Sequence, residues 1–131
     1  MPNHAVMVQG ELGLNACEVV ATAGVCLAGM TALKYAYAAV RSGDHDNAIA
    51  SGSELASASM SANNFSSESS VNTEDLEKRP ELAFDKDFLR WMLSDGAGAM
   101  LLENKPNDND LSLKIEWIDI LSYAGEMEAC M

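Results

Sequence analysis

The chain has 131 residues, 48% of them hydrophobic, and a formal net charge of −12. That length suits one domain or part of one, with enough apolar material for a real core. The acidic balance argues against non-specific nucleic-acid binding, which needs Lys and Arg to neutralise phosphates.

The pattern at residues 3–12 predicts a helix. Asn3 can cap its start, Gly13 sits where a helix stops, and Ala5, Val8 and Leu12 form its apolar face, with Val6 and Met7 beside it. Residues 17–23, CEVVATA, are short, apolar and rich in β-branched side chains, as in a buried strand. Residues 24–42 predict a second helix, followed by Gly43. It carries only Lys34 and Arg41 as charges and is apolar on nearly every side, the pattern of a helix buried all round. The apolar stretch within it, residues 25–40, is interrupted by Thr31 and Lys34 and is shorter than the roughly 20 residues of a membrane span. Residues 47–52, NAIASG, predict a second buried strand. Strand, helix and strand at this spacing make a βαβ unit, with parallel strands and a right-handed crossover.

Residues 57–75 are dominated by Ser, Asn and Glu and read as a surface excursion. Residues 85–93, DKDFLRWML, predict a short helix capped by Asp85, with Phe88, Trp91 and Met92 on one side. A β-hairpin is expected next: a strand at residues 98–103, a turn-rich run at 104–110 and a strand at 111–120. In that last run Leu111, Leu113, Ile115 and Trp117 alternate with Ser112, Lys114 and Glu116, one face buried and one wet. Residues 1–131 contain no internal repeat or linker and are expected to form a single partial domain.

Three cysteines, Cys17, Cys26 and Cys130, are an odd number in a chain with no signal peptide, so a reducing, cytoplasmic setting is expected rather than a disulfide framework. Cys26 stands in the first turn of the second helix, directly after a strand. First-turn N–H groups lack intrahelical partners, and the helix dipole places partial positive charge there. A thiolate would be stabilised at this point, and the same N–H groups could bind the oxyanion of an attached acyl carbonyl. By position alone Cys26 fits either that role or that of a small core hydrophobe. Cys17 and Cys130 lack such a setting and are read as inert. His4 and His45 are read as surface residues. His45 follows the end of the helix, about 25 Å from Cys26 at 1.5 Å per residue, far outside hydrogen-bond reach. No His or Cys pair has metal-ligand spacing, so no metal site is expected.

The run ATAGVCLAGMTALKYAYAAVRSG, residues 21–43, resembles the nucleophile helix of β-ketoacyl-acyl-carrier-protein synthase III and its relatives. In that family a reactive cysteine is followed by a small residue–Gly pair and a long Ala-rich helix, here Cys26, Ala28, Gly29 and the helix to Ser42. NAIASGSELAS, residues 47–57, is similar to the family's next strand and its acidic end. LSDGAGAMLLE, residues 93–103, is similar to its Gly-Asp-Gly-Ala-Gly-Ala signature, with Ser94 in place of the first Gly. PNHAVMVQGELGL, residues 2–14, is similar to the helix ahead of the cysteine strand.

The resemblance implies an α/β, thiolase-like layered fold, present here in part as the βαβ unit with its buried Cys helix and the C-terminal β-hairpin. It implies a homodimer, and an acyltransferase of fatty acid biosynthesis. An acyl group passes from acyl-CoA to Cys26 and is then condensed, with decarboxylation, onto malonyl-acyl carrier protein, with no cofactor. Asp95, Gly96, Ala97 and Gly98 would form a tight turn near the active site, the glycines shaping backbone rather than doing chemistry. The family's catalytic His and Asn lie in a later half that these residues do not include, nor do they include the start of its first repeat, so the 131 residues are expected to be an inactive fragment. The run from Met60 to Trp91 is longer than the family's. It holds Lys78, Arg79, Lys86 and Arg90, half of the basic residues, as a solvated surface or a contact for acidic acyl carrier protein. Two other readings stay open, a related polyketide or aryl-polyene condensing enzyme and a non-catalytic dimerisation or partner subunit. A Cys26 hydrolase ranks last, because no base lies in reach.

Overall fold

The structure is a computed structural model and describes residues 3–61, 63–64, 77–80 and 92–126. Along the chain run α1 (His4–Glu11), a 3-10 turn (Val25–Leu27), α2 (Ala28–Ser42), β1 (Asn47–Glu54), the one-turn α3 (Ala56–Ser59) and β2 (Gly96–Glu103). The expected helix at 85–93 lies almost wholly outside the described residues, as do Lys86, Arg90 and Cys130. The chain divides into two compact units, Met1–Ser51 with Ala99–Met131, and Gly52–Gly98.

α1 starts where the sequence places it. The Asn3 side chain accepts a hydrogen bond from the Val6 N–H at 2.9 Å, satisfying one of the donors a helix start leaves open, and Gly13 follows the helix end at φ +60. None of its residues is buried, so its apolar residues supply no core among the described residues. α2 ends as expected at Gly43. This residue takes the left-handed conformation at φ 82 and directs its N–H back to Val40, while the Asp44 N–H reaches Ala39.

α2 is not buried on all sides. It buries one stripe, Leu33, Ala36 and Val40, whose spacing of three and four residues keeps them on one face. That stripe forms the core of the first unit with Ala50 of β1 and Leu102 of β2, flanked by Ala32, Tyr37, Ala48, Ile115 and Ile118. Met30, Tyr35 and Lys34 face away from it and stay exposed.

Two pairing expectations are corrected. Among the described residues, 17–23 carry no regular structure and belong to no ladder, so no parallel βαβ unit forms there; the sheet described has two strands, β1 and β2. The Asn104 N–H donates to the Asp46 carbonyl at 3.2 Å, which sets the end of β2 beside the start of β1 and makes the pair antiparallel. The C-terminal hairpin is also absent, since β2 pairs with β1 and residues 111–120 carry no strand. The register of β1 and β2 is fixed within the first unit by Asn104, whose side chain also donates to the Asp46 carboxylate at 3.0 Å. The run after β2 keeps Ile115 and Ile118 on the core but leaves Trp117 78% exposed, so its period-two face is not the one expected. The turn-rich run itself is tied locally, by the Asn107 N–H to the Ser112 hydroxyl and the Asn109 N–H to the Asn107 side chain.

Because Leu33 is the largest side chain of the buried stripe, Leu33→Ala is expected to destabilise the chain by about 2–4 kcal/mol. Urea unfolding would show this as a lower midpoint at unchanged slope.

Candidate functional site

Cys26 lies in the middle of the 3-10 turn that opens α2, and it is exposed. The turn's first bond runs from the Leu27 N–H to the Gly24 carbonyl at 2.8 Å. Val25 and Cys26 precede that donor, so their N–H groups have no acceptor within the helix and are open to an oxyanion. Among the described residues Cys26 is thus not packed in a core. The helical start is one turn tighter than expected, with α-helix beginning only at Ala28.

The backbone leading into this turn is bent sharply. Gly24 sits at φ 149 and Val25 at φ 47. A β-branched residue in the left-handed region is a true outlier, of the kind that costs on the order of 1–3 kcal/mol and persists only where neighbouring structure imposes it. Val25 gains little from packing in return, being 87% exposed. The corner therefore presents Cys26 on a strained elbow between a segment without regular structure and a helix.

Side chains hold residues 17–23 to α2. The Thr22 hydroxyl donates to the Ala28 carbonyl at 2.9 Å, close to the elbow. At the other end of the segment the Glu18 carboxylate takes two partners, the Tyr35 hydroxyl on Oε1 and His45 Nε2 on Oε2, both at 2.5 Å. Hydrogen bonding from Tyr35, then from His45, holds the Glu18 carboxyl below the usual carboxylate range, and the same contact with Glu18 raises the Tyr35 hydroxyl above its ordinary value. His45 is thus engaged beyond the C-terminal end of α2, at the opposite end of the helix from Cys26. Sequence reasoning missed this cluster. The one signal for it was an acidic residue inside the apolar run CEVVATA, which a strand against a helix has to partner or expose.

In the second unit the Asp95 carboxylate receives the Ser57 N–H at 2.8 Å and the Ser57 hydroxyl at 2.6 Å. These bonds, the hydroxyl's first, hold the Asp95 carboxyl below its ordinary range. Asp95 thereby joins two of the motifs singled out in the sequence, SGSELAS and SDGAGA, and serves the first turn of α3 as a remote cap. Gly96, Ala97 and Gly98 open β2 instead of forming a turn. A glycine-containing run can serve either conformation, and here the pairing with β1 supplies the ladder bonds that a turn would lack. Cys26 belongs to the first unit and Asp95–Gly98 to the second.

A protein-family model described as beta-ketoacyl synthase, N-terminal domain, matches residues 5–107, most of the chain and both of its compact units. The chain belongs to the β-ketoacyl synthase family. No curated protein shows a significant match to it. As a ketoacyl-synthase domain it is a condensing, acyltransferase-type module of fatty acid or polyketide synthesis, and its mixed helices and antiparallel strand pair fit part of a thiolase-like fold. Among the described residues of this synthase domain, no helix is long and apolar enough to cross a membrane.

Two outcomes test the geometry. Val25→Gly is expected to cost no stability despite removing an apolar side chain, because Gly accepts φ 47 without strain and the valine is almost fully exposed; urea unfolding of the two proteins is the comparison. The second concerns the Glu18 cluster. A carboxyl held below its ordinary value contributes stability above that value and loses it as the pH falls through the folded one. A phenol held above its ordinary value contributes below it and loses this as the pH rises. The stability difference between wild type and Glu18→Gln should therefore be largest between about pH 5 and pH 9 and shrink on both sides. Thermal melts across that range measure it.

Proposed function

We propose that Cys26 is the acyl-accepting nucleophile of a condensing enzyme of the β-ketoacyl-acyl-carrier-protein synthase III type. The observation that carries this is the exposed thiol on a strained elbow at the helix start, next to N–H groups with no acceptor in the helix. The Cys26 sulfur attacks the carbonyl carbon of an acyl-CoA thioester, the carbonyl oxygen takes up negative charge beside the elbow's N–H groups, and the CoA thiol leaves. Loss of carbon dioxide from malonyl-acyl carrier protein then gives the carbon nucleophile that takes the acyl group off the cysteine. This chemistry needs no cofactor.

The synthase III assignment rests on four motifs standing in the family's order, the specificity lying in that order and not in any one of them. Within the second unit, Asp95 holds Ser57 in place and Gly96, Ala97 and Gly98 continue from it into β2. Acyl-CoA and acyl carrier protein are the partners. The exposed Lys78 and Arg79 offer positive charge to an acidic carrier. A second copy of the chain completes the assembly, and the exposed Ile49, Met100 and Leu101 supply apolar surface for it. The three-cysteine composition fits a reducing, cytoplasmic setting.

Incubation with a short acyl-CoA should add one acyl mass to the protein by intact mass spectrometry, and Cys26→Ala should abolish the gain. An adduct that survives Cys26→Ala would remove Cys26 from the mechanism. Acylation from acyl carrier protein but not from CoA would keep the nucleophile and reject the synthase III type.

A further inference from the structure

The segment ahead of Cys26, residues 17–23, has no ladder partner among the described residues, yet it leads into Val25, a non-glycine residue in the left-handed region. Strain of that kind persists only where both flanks are fixed. On one flank the fixture is α2 itself. On the other, hydrogen bonds from two parts of the chain converge on one carboxylate. Tyr35 reaches Glu18 from the body of α2, and His45 reaches it from the loop beyond Gly43. They use different oxygens of Glu18, so neither replaces the other. Asp44, the other charged group beside Tyr35, is held by the Ser42 hydroxyl at 2.9 Å. Thr22 pins the segment again near the elbow.

We propose that Glu18, Tyr35 and His45 are positioning residues for Cys26, forming a clasp that holds the incoming segment along α2 and keeps the thiol at the helix start. This deepens the reading of Cys26 as acyl acceptor and rests on it. The clasp touches neither substrate nor sulfur. It acts at the far end of the segment, by closing the angle between segment and helix whose apex is the Val25–Cys26 corner. Opening it lets the elbow relax, and Cys26 is already exposed, so relaxation adds no access and only removes the thiol from the helix start.

The test is the rate at which iodoacetamide alkylates Cys26 in a Cys17→Ser, Cys130→Ser background, where it is the only cysteine. Glu18→Ala should slow alkylation about tenfold at a temperature where the variant is folded by thermal melting. Glu18→Gln keeps the side-chain length and the acceptor for Tyr35, and should recover part of that rate. The double variant Glu18→Ala, His45→Ala should be no slower than Glu18→Ala alone, as expected of residues acting as one unit. Unchanged alkylation in Glu18→Ala, additive losses in the double variant, or no recovery with Glu18→Gln overturns the proposal. Should Glu18→Ala fail to fold, Tyr35→Phe decides. It removes one hydroxyl and keeps the ring, and a rate equal to wild type overturns the clasp. Iodoacetamide delivers no acyl group, so the two readings fail separately. A failed clasp leaves acyl transfer intact with alkylation indifferent to Glu18. A failed acyl-acceptor reading gives no acyl adduct on a cysteine whose alkylation still depends on Glu18.

Discussion

The contact of Leu33, Ala36 and Val40 with Ala50 and Leu102 sets the position of α2, and with it both ends of the helix. At the N-terminal end lies the turn that carries Cys26. At the other end Gly43 reverses the chain and delivers His45 to Glu18. A rigid helix transmits its placement along its whole length, because each residue rises a fixed 1.5 Å along the axis. The cluster combines the small Ala36 and Ala50 with the larger Leu33, Val40 and Leu102, and volumes of both sizes are what close packing of a helix on strands uses. The apolar stripe is a stability feature that also fixes where both ends of the helix stand.

Around that helix the polar groups do different work. Asn3, Gly43 and Asn104 satisfy backbone groups at element ends, where donors or acceptors would otherwise be left open. Glu18 and Asp95 instead reach across the sequence, each to a partner group far along the chain within its own unit. In both cases one carboxylate uses both of its oxygens, and its charge is favoured by the hydrogen bonds it receives. Neither residue lies in the core. Each fixes how a segment without regular structure leaves or enters an element.

What could be read from the sequence follows from how local the determining interactions are. The Asn3 cap, the stop of α2 at Gly43 and the position of Cys26 at the helical start depend on neighbours within a turn or two, and all were legible. The strands themselves were legible near residues 47–54 and 96–103, but their partners were not. A strand's composition says that it needs a neighbour without saying which one, and residues 17–23 and 111–120 offered equally plausible candidates. The all-round apolar character of α2 overstated its burial, since Met30 and Tyr35 find no core among the described residues. Of the candidate site, Cys26 was found by its place before the helix. The strain at Val25 and the role of Glu18 were hidden, because backbone angles and contacts between residues 17 and 27 positions apart leave no periodic trace.

The Asp95–Ser57 tie has a consequence for how such a domain can change. Both residues stand just outside the paired strands, Ser57 after β1 and Asp95 before β2, so their bond closes the base of everything inserted between them. With the base closed, lengthening the insert adds only loop entropy, about 0.6 kcal/mol for each doubling. The stretch between α3 and β2 can then be rewritten in length and composition while the strand register and the helix behind it stay as they are. It is a port for diversification, set between two residues that hold its ends together.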